Sequence, residues 1–192
     1  VTLVLASASP RRRQLLSTAG LRFEVRPSGV DEAVREGEAP PALVARLAGL
    51  KAVSVSREVP GAFVLGADTT VDVDGEILEK PRDDDEALSM LARLVGRWHQ
   101  VHSGVGLARD GALLEGFCVS SRVHFREVDR STLRRYVASG EPRDKAGAYA
   151  IQGLGSGLVD RMEGSYTSVV GMPVVETLEV LERHGALARW PS

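Results

Sequence analysis

A run of apolar, β-favouring residues at positions 1–6 passes through Ser7-Ala8-Ser9 into Pro10 and three consecutive arginines, Arg11, Arg12 and Arg13. Ser9 carries the side chain of a helix N-cap and Pro10 suits the first helical position. Leu15, Leu16 and Ala19 then supply an apolar stripe, and Gly20 a stop. The chain therefore turns from strand to helix through one tight loop, which points to an α/β protein in which helices pack on a sheet. At 192 residues such a chain buries roughly 70% of its unfolded surface and needs neither metal nor disulfide to fold.

The remaining pattern continues the alternation. Residues 21–26 read as a second extended run, followed by a polar loop that begins at Asp31-Glu32 and ends at Pro40-Pro41. Leu43, Leu47 and Leu50, flanked by Val44, Ala48 and Val53, mark a helix to about Ser56. Residues 62–67 form an apolar strand running into Asp68-Thr69-Thr70, with a hairpin turn at Asp74-Gly75. Acidic residues 83–86 open a helix carrying Leu88, Leu91 and Leu94, in keeping with the helix dipole. Two strands, 98–108 and 113–128, join at Asp110-Gly111, and 131–139 is a short helix ending at Gly140. Seven glycines fall between 140 and 171; Gly153, Gly155 and Gly157 are too dense for a regular element and suggest sharp turns or close approach to a ligand. A last amphipathic helix is expected over 169–181. No repeat or linker divides the chain, which is expected to be one domain.

Charge narrows the function classes. Lys and Arg number 24 against 26 Asp and Glu, a balance that argues against nucleic acid as a partner, so any anion site is local. No apolar run is long enough for a membrane helix. The single cysteine, Cys118, has no internal partner and no neighbouring cation, so a packing role is expected. With no secretory signal pattern, a cytoplasmic location is expected. His99, His102, His124 and His184 do not form a zinc set, because His99 and His102 lie three apart on a strand and point to opposite faces. The P-loop and nucleophile-elbow signatures are absent.

Three stretches can carry chemistry. Residues 7–26 hold five arginines against Glu24 alone, at the point where a strand feeds a helix N-terminus. Backbone N–H groups, Ser7, Ser9 and forked guanidinium donors suit a phosphate there, although the same run also fits a solvated helix face. Residues 72–86 hold eight acids against Lys80 and Arg82, most of them expected to be solvated at a hairpin tip and a helix start. Lys80 is the odd feature, a cation fixed just before a proline. Asp68 follows an apolar strand and is expected at or near its end. There it caps the strand, holds Mg²⁺ or accepts a proton from water, with Thr69 beside it able to donate to a ligand.

These residues sit in six colinear motifs: LASASPRRRQLL at 5–16, GADTTV at 66–71, EKPRD at 79–83, GRWHQVHSGV at 96–105, KAGAYAIQG at 145–153 and GSYTSVVGMPVVET at 164–177. Together they resemble the Maf family of nucleoside triphosphate pyrophosphatases, and AYAIQG resembles its branch that prefers thymidine and uridine triphosphates. Ser168 stands where Asn is frequent in that family, and Met172 where Leu is.

The resemblance implies an elongated mixed α/β sheet with flanking helices and two lobes around a cleft, similar to the inosine triphosphate pyrophosphatases, often paired as a homodimer. It implies hydrolysis of dTTP and UTP between the α and β phosphates. Asp68 would be the proton acceptor. Arg11, Thr69 and Gln152 would occupy the base-specificity positions, and Ser9, Arg12, Glu32, Lys51 and Lys80 the rest of the cleft. Glu32 and Asp68 would hold Mg²⁺ or Mn²⁺ while the cations grip the phosphates. The competing reading is a nucleotide-binding regulator of cell division without turnover; only the enzyme needs the carboxylate of Asp68. A phosphatase would instead release orthophosphate.

Overall fold

Ser9 and Pro10 act locally as their residue types dictate. In the computed structural model, which describes residues 1–191, β1 (Leu3–Leu5) leads into α1 (Pro10–Thr18). Ser9 is the N-cap, its hydroxyl accepting from the Arg12 amide, and Pro10 opens the first turn. β2 (Glu24–Val25) is shorter than the extended run of 21–26, because its parallel neighbour β1 is itself only three residues long. The polar loop then leads to α2 (Pro40–Ser56).

β3 (Phe63–Val73) and β4 (Glu76–Leu78) form a hairpin whose turn residues, Asp74 and Gly75, have φ of 56° and 81°. Both values lie in the left-handed region that a tight hairpin of this kind demands. α3 (Asp84–Leu94) is capped by Asp83. β5 (Trp98–Arg109) and β6 (Ala112–Phe125) follow, joined at Asp110-Gly111. β6 stops at Phe125, short of 128, where its two partner strands begin, β5 at Trp98 and β7 at Val159. α4 (Arg130–Ala138) leads through 3₁₀ turns at Glu141–Asp144, Ala146–Ala148 and Gly153–Leu158 to β7 (Val159–Glu163). The single helix expected over 169–181 is two, α5 (Tyr166–Val170) and α6 (Val174–Arg183). Gly171, with φ of 143°, and Pro173 separate them, a conformation and a residue that a continuous helix does not accept.

The strands make one mixed sheet in the order β2-β1-β3-β5-β6-β7, with β4 added on β3. β2, β1 and β3 are parallel and the remaining pairs antiparallel. β5 pairs with β3 from Phe63 to Asp72. On its other side β3 pairs with β1 only as far as Leu65 and with β4 only from Val71. Residues 66–70 thus have no strand neighbour on that edge, and the sheet opens there.

Two apolar clusters share one face of the sheet. One contains Leu5, Leu16, Leu65, Ala67, Val105 and Met172, the other Val71, Leu91, Leu94, Val101, Val123 and Phe125. Between them, the cross-strand neighbours Thr69 and Ser103 join hydroxyls at 2.8 Å. On the opposite face α2 lies directly against the sheet. Gly66, Gly104 and Gly106 provide the room, since a Cβ on any of them would run into the backbone of α2 at Ala48, Val44 or Gly49.

Candidate active site

The sheet opening at 66–70 is the floor of a cleft of about 610 Å³. Ser9, Arg11, Arg12, Glu32, Lys51, Asp68, Thr69, Lys80 and Gln152 all line it, so the residues singled out in sequence are brought together in space. Asp68, expected at or near a strand end, lies in the middle of β3, because β5 continues to pair through Asp72. It is a rim residue all the same, since only the β1 side of the strand is missing.

Lys51 organises the floor. It points from α2 toward the sheet, is 6% exposed, and sets its Nζ 2.7 Å from Asp68 Oδ1 and 2.8 Å from Glu32 Oε1. The close seat of α2 on the three glycines is what lets a helix lysine reach a strand carboxylate. Partial burial by itself raises the pKa of Glu32, but the hydrogen bond and charge of Lys51, with Lys80 and Arg12 behind it, hold the carboxyl below its usual range.

Arg12 forms the wall. Its Nε donates to the Gly171 carbonyl at 2.9 Å, Nη1 to Ser7 Oγ at 3.1 Å and Nη2 to Thr69 Oγ1 at 3.2 Å. Burial lowers its pKa, while Asp68 and Glu32 pull it back up against the opposing push of Arg11. The Thr69 hydroxyl also meets Ser103, which donates to the Ser168 carbonyl at 2.7 Å. Ser168 and Met172, the two departures from the family wording, are both fully buried in this wall rather than facing the cleft opening.

Residues not singled out by sequence also face the cleft, among them Asp144, Lys145 and Tyr149. Lys145 and Tyr149 lie inside the KAGAYAIQG motif, yet nothing in their spacing separates a cleft-lining residue from a turn residue. Asp72, from the acidic stretch most of whose members are expected to be solvated, is 5% exposed and lies 2.9 Å from His102 Nε2. His99 turns to the other face and meets the Tyr149 hydroxyl at 2.7 Å. Cys118 is half-buried, and burial raises its pKa, in line with a packing role.

The donor set fits a cation that arrives with its ligand. Among the described residues no group of three or more His, Cys, Asp and Glu side chains gathers into a metal site. Glu32 and Asp68 instead present a pair of carboxylates around one ammonium, and Mg²⁺ and Mn²⁺ accept one or two carboxylates when water and phosphate complete the shell.

The family model described as Maf-like protein matches residues 2–184. The chain belongs to the Maf family. Maf relatives resemble it over nearly their whole length. The dTTP/UTP pyrophosphatase of Myxococcus xanthus (strain DK1622) is 52% identical over 188 residues, covering 98% of this chain and 95% of the relative. That of Methylobacillus flagellatus (strain ATCC 51484 / DSM 6875 / VKM B-1610 / KT) is 48% identical over 184 residues, covering 94% and 92%. Among solved structures, a nucleoside-triphosphatase / dITP/XTP pyrophosphatase from Mycobacterium abscessus is similar at 16% identity with a TM-score of 0.44, covering 98% of this chain and 96% of that one. No helix among the described residues is long and apolar enough to cross a membrane.

Proposed function

We propose that this Maf protein hydrolyses UTP and dTTP between the α and β phosphates, releasing pyrophosphate and the nucleoside monophosphate. The observation that carries the reading is the Lys51 ammonium joined to both Asp68 and Glu32 on the floor of an arginine-walled cleft. The names of the relatives at 52% and 48% identity support the substrate class.

In this reading Ser9, Arg12, Lys51 and Lys80 bind the triphosphate, and Arg11, Thr69 and Gln152 meet the base. Fixed cations beside a departing pyrophosphate stabilise charge as it develops. Asp68 Oδ1 is held by Lys51 while Oδ2 has no hydrogen-bond partner among the described residues, so one oxygen is anchored and the other is available to take the proton of the attacking water. Glu32 and Asp68 would hold Mg²⁺ or Mn²⁺, which neutralises phosphate charge when bound. The protein acts as one domain of two lobes, supported by β3 and β5 running through both apolar clusters. A cytoplasmic homodimer is the assembly that the family resemblance supports.

Incubation with a panel of nucleoside triphosphates and identification of the products tests the reading. Pyrophosphate from UTP and dTTP is expected, with Mg²⁺ or Mn²⁺ required. Orthophosphate would make the protein a terminal phosphatase, binding without turnover would make it a regulator, and full activity in excess chelator would remove the metal.

A further inference from the structure

Asp144 stands between two cations at the cleft wall. Its Oδ1 accepts from Lys145 Nζ at 2.6 Å, and its Oδ2 lies 3.8 Å from Arg11 Nη1, a loose ion pair that is not a hydrogen bond. The three side chains belong to both sides of the cleft. Arg11 comes from the first turn of α1, Asp144 from the 3₁₀ turn that follows α4, and Lys145 from the residue just after that turn.

That turn is tied by hydrogen bonds to the segment after Gln152. The Glu141 carboxylate accepts from the Tyr136 hydroxyl at 2.8 Å, the Gly155 amide at 2.8 Å and the Leu154 amide at 3.0 Å. It thereby ties residues 141–145 to the segment that begins just after Gln152. Lys145 Nζ is fixed a second time by the Glu141 carbonyl at 2.6 Å. Asp144 and Lys145 are therefore held in one body with Gln152, the residue proposed to meet the base.

We propose that Arg11, Asp144 and Lys145 read the hydrogen-bonding edge of the pyrimidine, with Asp144 as the acceptor for its ring N–H. Uracil and thymine present a carbonyl, a ring N–H and a second carbonyl in that order. A row of donor, acceptor and donor is the complement, and Arg11, Asp144 and Lys145 supply it in that order. Asp144 Oδ2 has no hydrogen-bond partner among the described residues, and Lys145, with three N–H donors, uses two. Cytosine places an unprotonated ring nitrogen against the carboxylate and an amino group against a cation. Both contacts bring like partners together and leave polar groups of the site and of the base unpaired.

The inference rests on the proposed hydrolysis, and its test separates the two. kcat/KM is measured with UTP, CTP and a uridine triphosphate methylated at ring nitrogen N3, in wild type, Asp144→Asn, Asp144→Ala and Lys145→Met. Binding of the monophosphates UMP and CMP is measured alongside. Wild type is expected to prefer UTP over both other triphosphates, and Asp144→Ala to shrink that preference by roughly 10- to 100-fold, the scale of one hydrogen bond to a charged group. Asp144→Asn falls between, since its amide can still accept, and Lys145→Met lowers UTP more than CTP. UMP binding weakens in the same order as the UTP rates. If the Asp144 variants lower all three substrates equally, Asp144 is only a latch across the cleft and the inference is overturned. If wild type releases pyrophosphate from none of them but binds UMP over CMP through Asp144, the hydrolysis fails while the edge reading stands.

Discussion

The backbone of Gly66 in β3 passes so close to the carbonyl oxygen of Ala48 in α2 that no β-carbon fits between them. Gly104 and Gly106 on the neighbouring strand meet α2 in the same way at Val44 and Gly49. The helix is seated by these contacts, and Lys51, one turn beyond Ala48, reaches Asp68 as a result.

Gly66→Ala should therefore damage the site as well as the fold. Overpacking of a close contact destabilises by about 1–3 kcal/mol. A lift of α2 by a fraction of its diameter also draws the Lys51 ammonium from both carboxylates, and misplacement on the 1 Å scale can lower activity by about 10²-fold. Urea unfolding and kcat/KM for UTP measure the two effects. A variant with normal activity and normal stability would show that α2 tolerates the shift.

Asp68→Asn preserves the shape of the side chain and keeps an oxygen for Lys51, but the amide cannot take a proton. The kcat for pyrophosphate release is expected to fall by about 10²- to 10⁴-fold, with nucleotide binding largely kept because Glu32 still pairs with Lys51. Turnover at the wild-type rate would leave Asp68 a structural partner of Lys51. Loss of binding together with activity would make cation ligation its larger role.

Much of this site was legible in the sequence because its parts carry local signals. Ser9-Pro10 is a cap written in two residues, and Asp74-Gly75 is a hairpin turn whose φ values only a few residue types accept. The placement of Asp68 was not legible, because β3 is carried past it by pairing with β5, a strand that lies some thirty residues further along the chain. Nor was the burial of Asp72, which is acidic among acidic neighbours and is taken into the interior by His102, a residue from another strand. The break between α5 and α6 could have been read from Gly171 and Pro173, but the apolar spacing on either side is continuous and masks it.

His99 gives the fold a defined response to acid. Burial takes its pKa from 6.5 down to about 4, with a smaller push from His124 and an opposing pull from Asp72. The unfolded chain therefore binds a proton between those two values that the folded chain does not. Stability from this group is full above pH 6.5 and is lost as the pH falls toward 4, by on the order of 3 kcal/mol in all. Urea unfolding at a series of pH values should show this slope in wild type and a flatter one in His99→Gln. Equal slopes in the two proteins would assign the acid sensitivity elsewhere.

Arg12→Lys tests the wall of the cleft. The guanidinium serves the β1–α1 loop through Ser7, β3 through Thr69 and the α5–α6 turn through Gly171, one donor nitrogen for each. An ammonium keeps the charge but lacks the planar fork, so it cannot satisfy three acceptors set around a plane. Leaving buried partners unmatched is expected to destabilise the protein by about 1–3 kcal/mol. The same change loosens the phosphate wall, so KM should rise for UTP, dTTP and CTP alike. The ratio of kcat/KM between UTP and CTP should change less than KM itself, because of the three acceptors Arg12 serves only Thr69 is placed at the base. A ratio that falls as far as KM rises would place Arg12 itself at the base, and an unchanged Tm would show that its three hydrogen bonds do not hold the wall together.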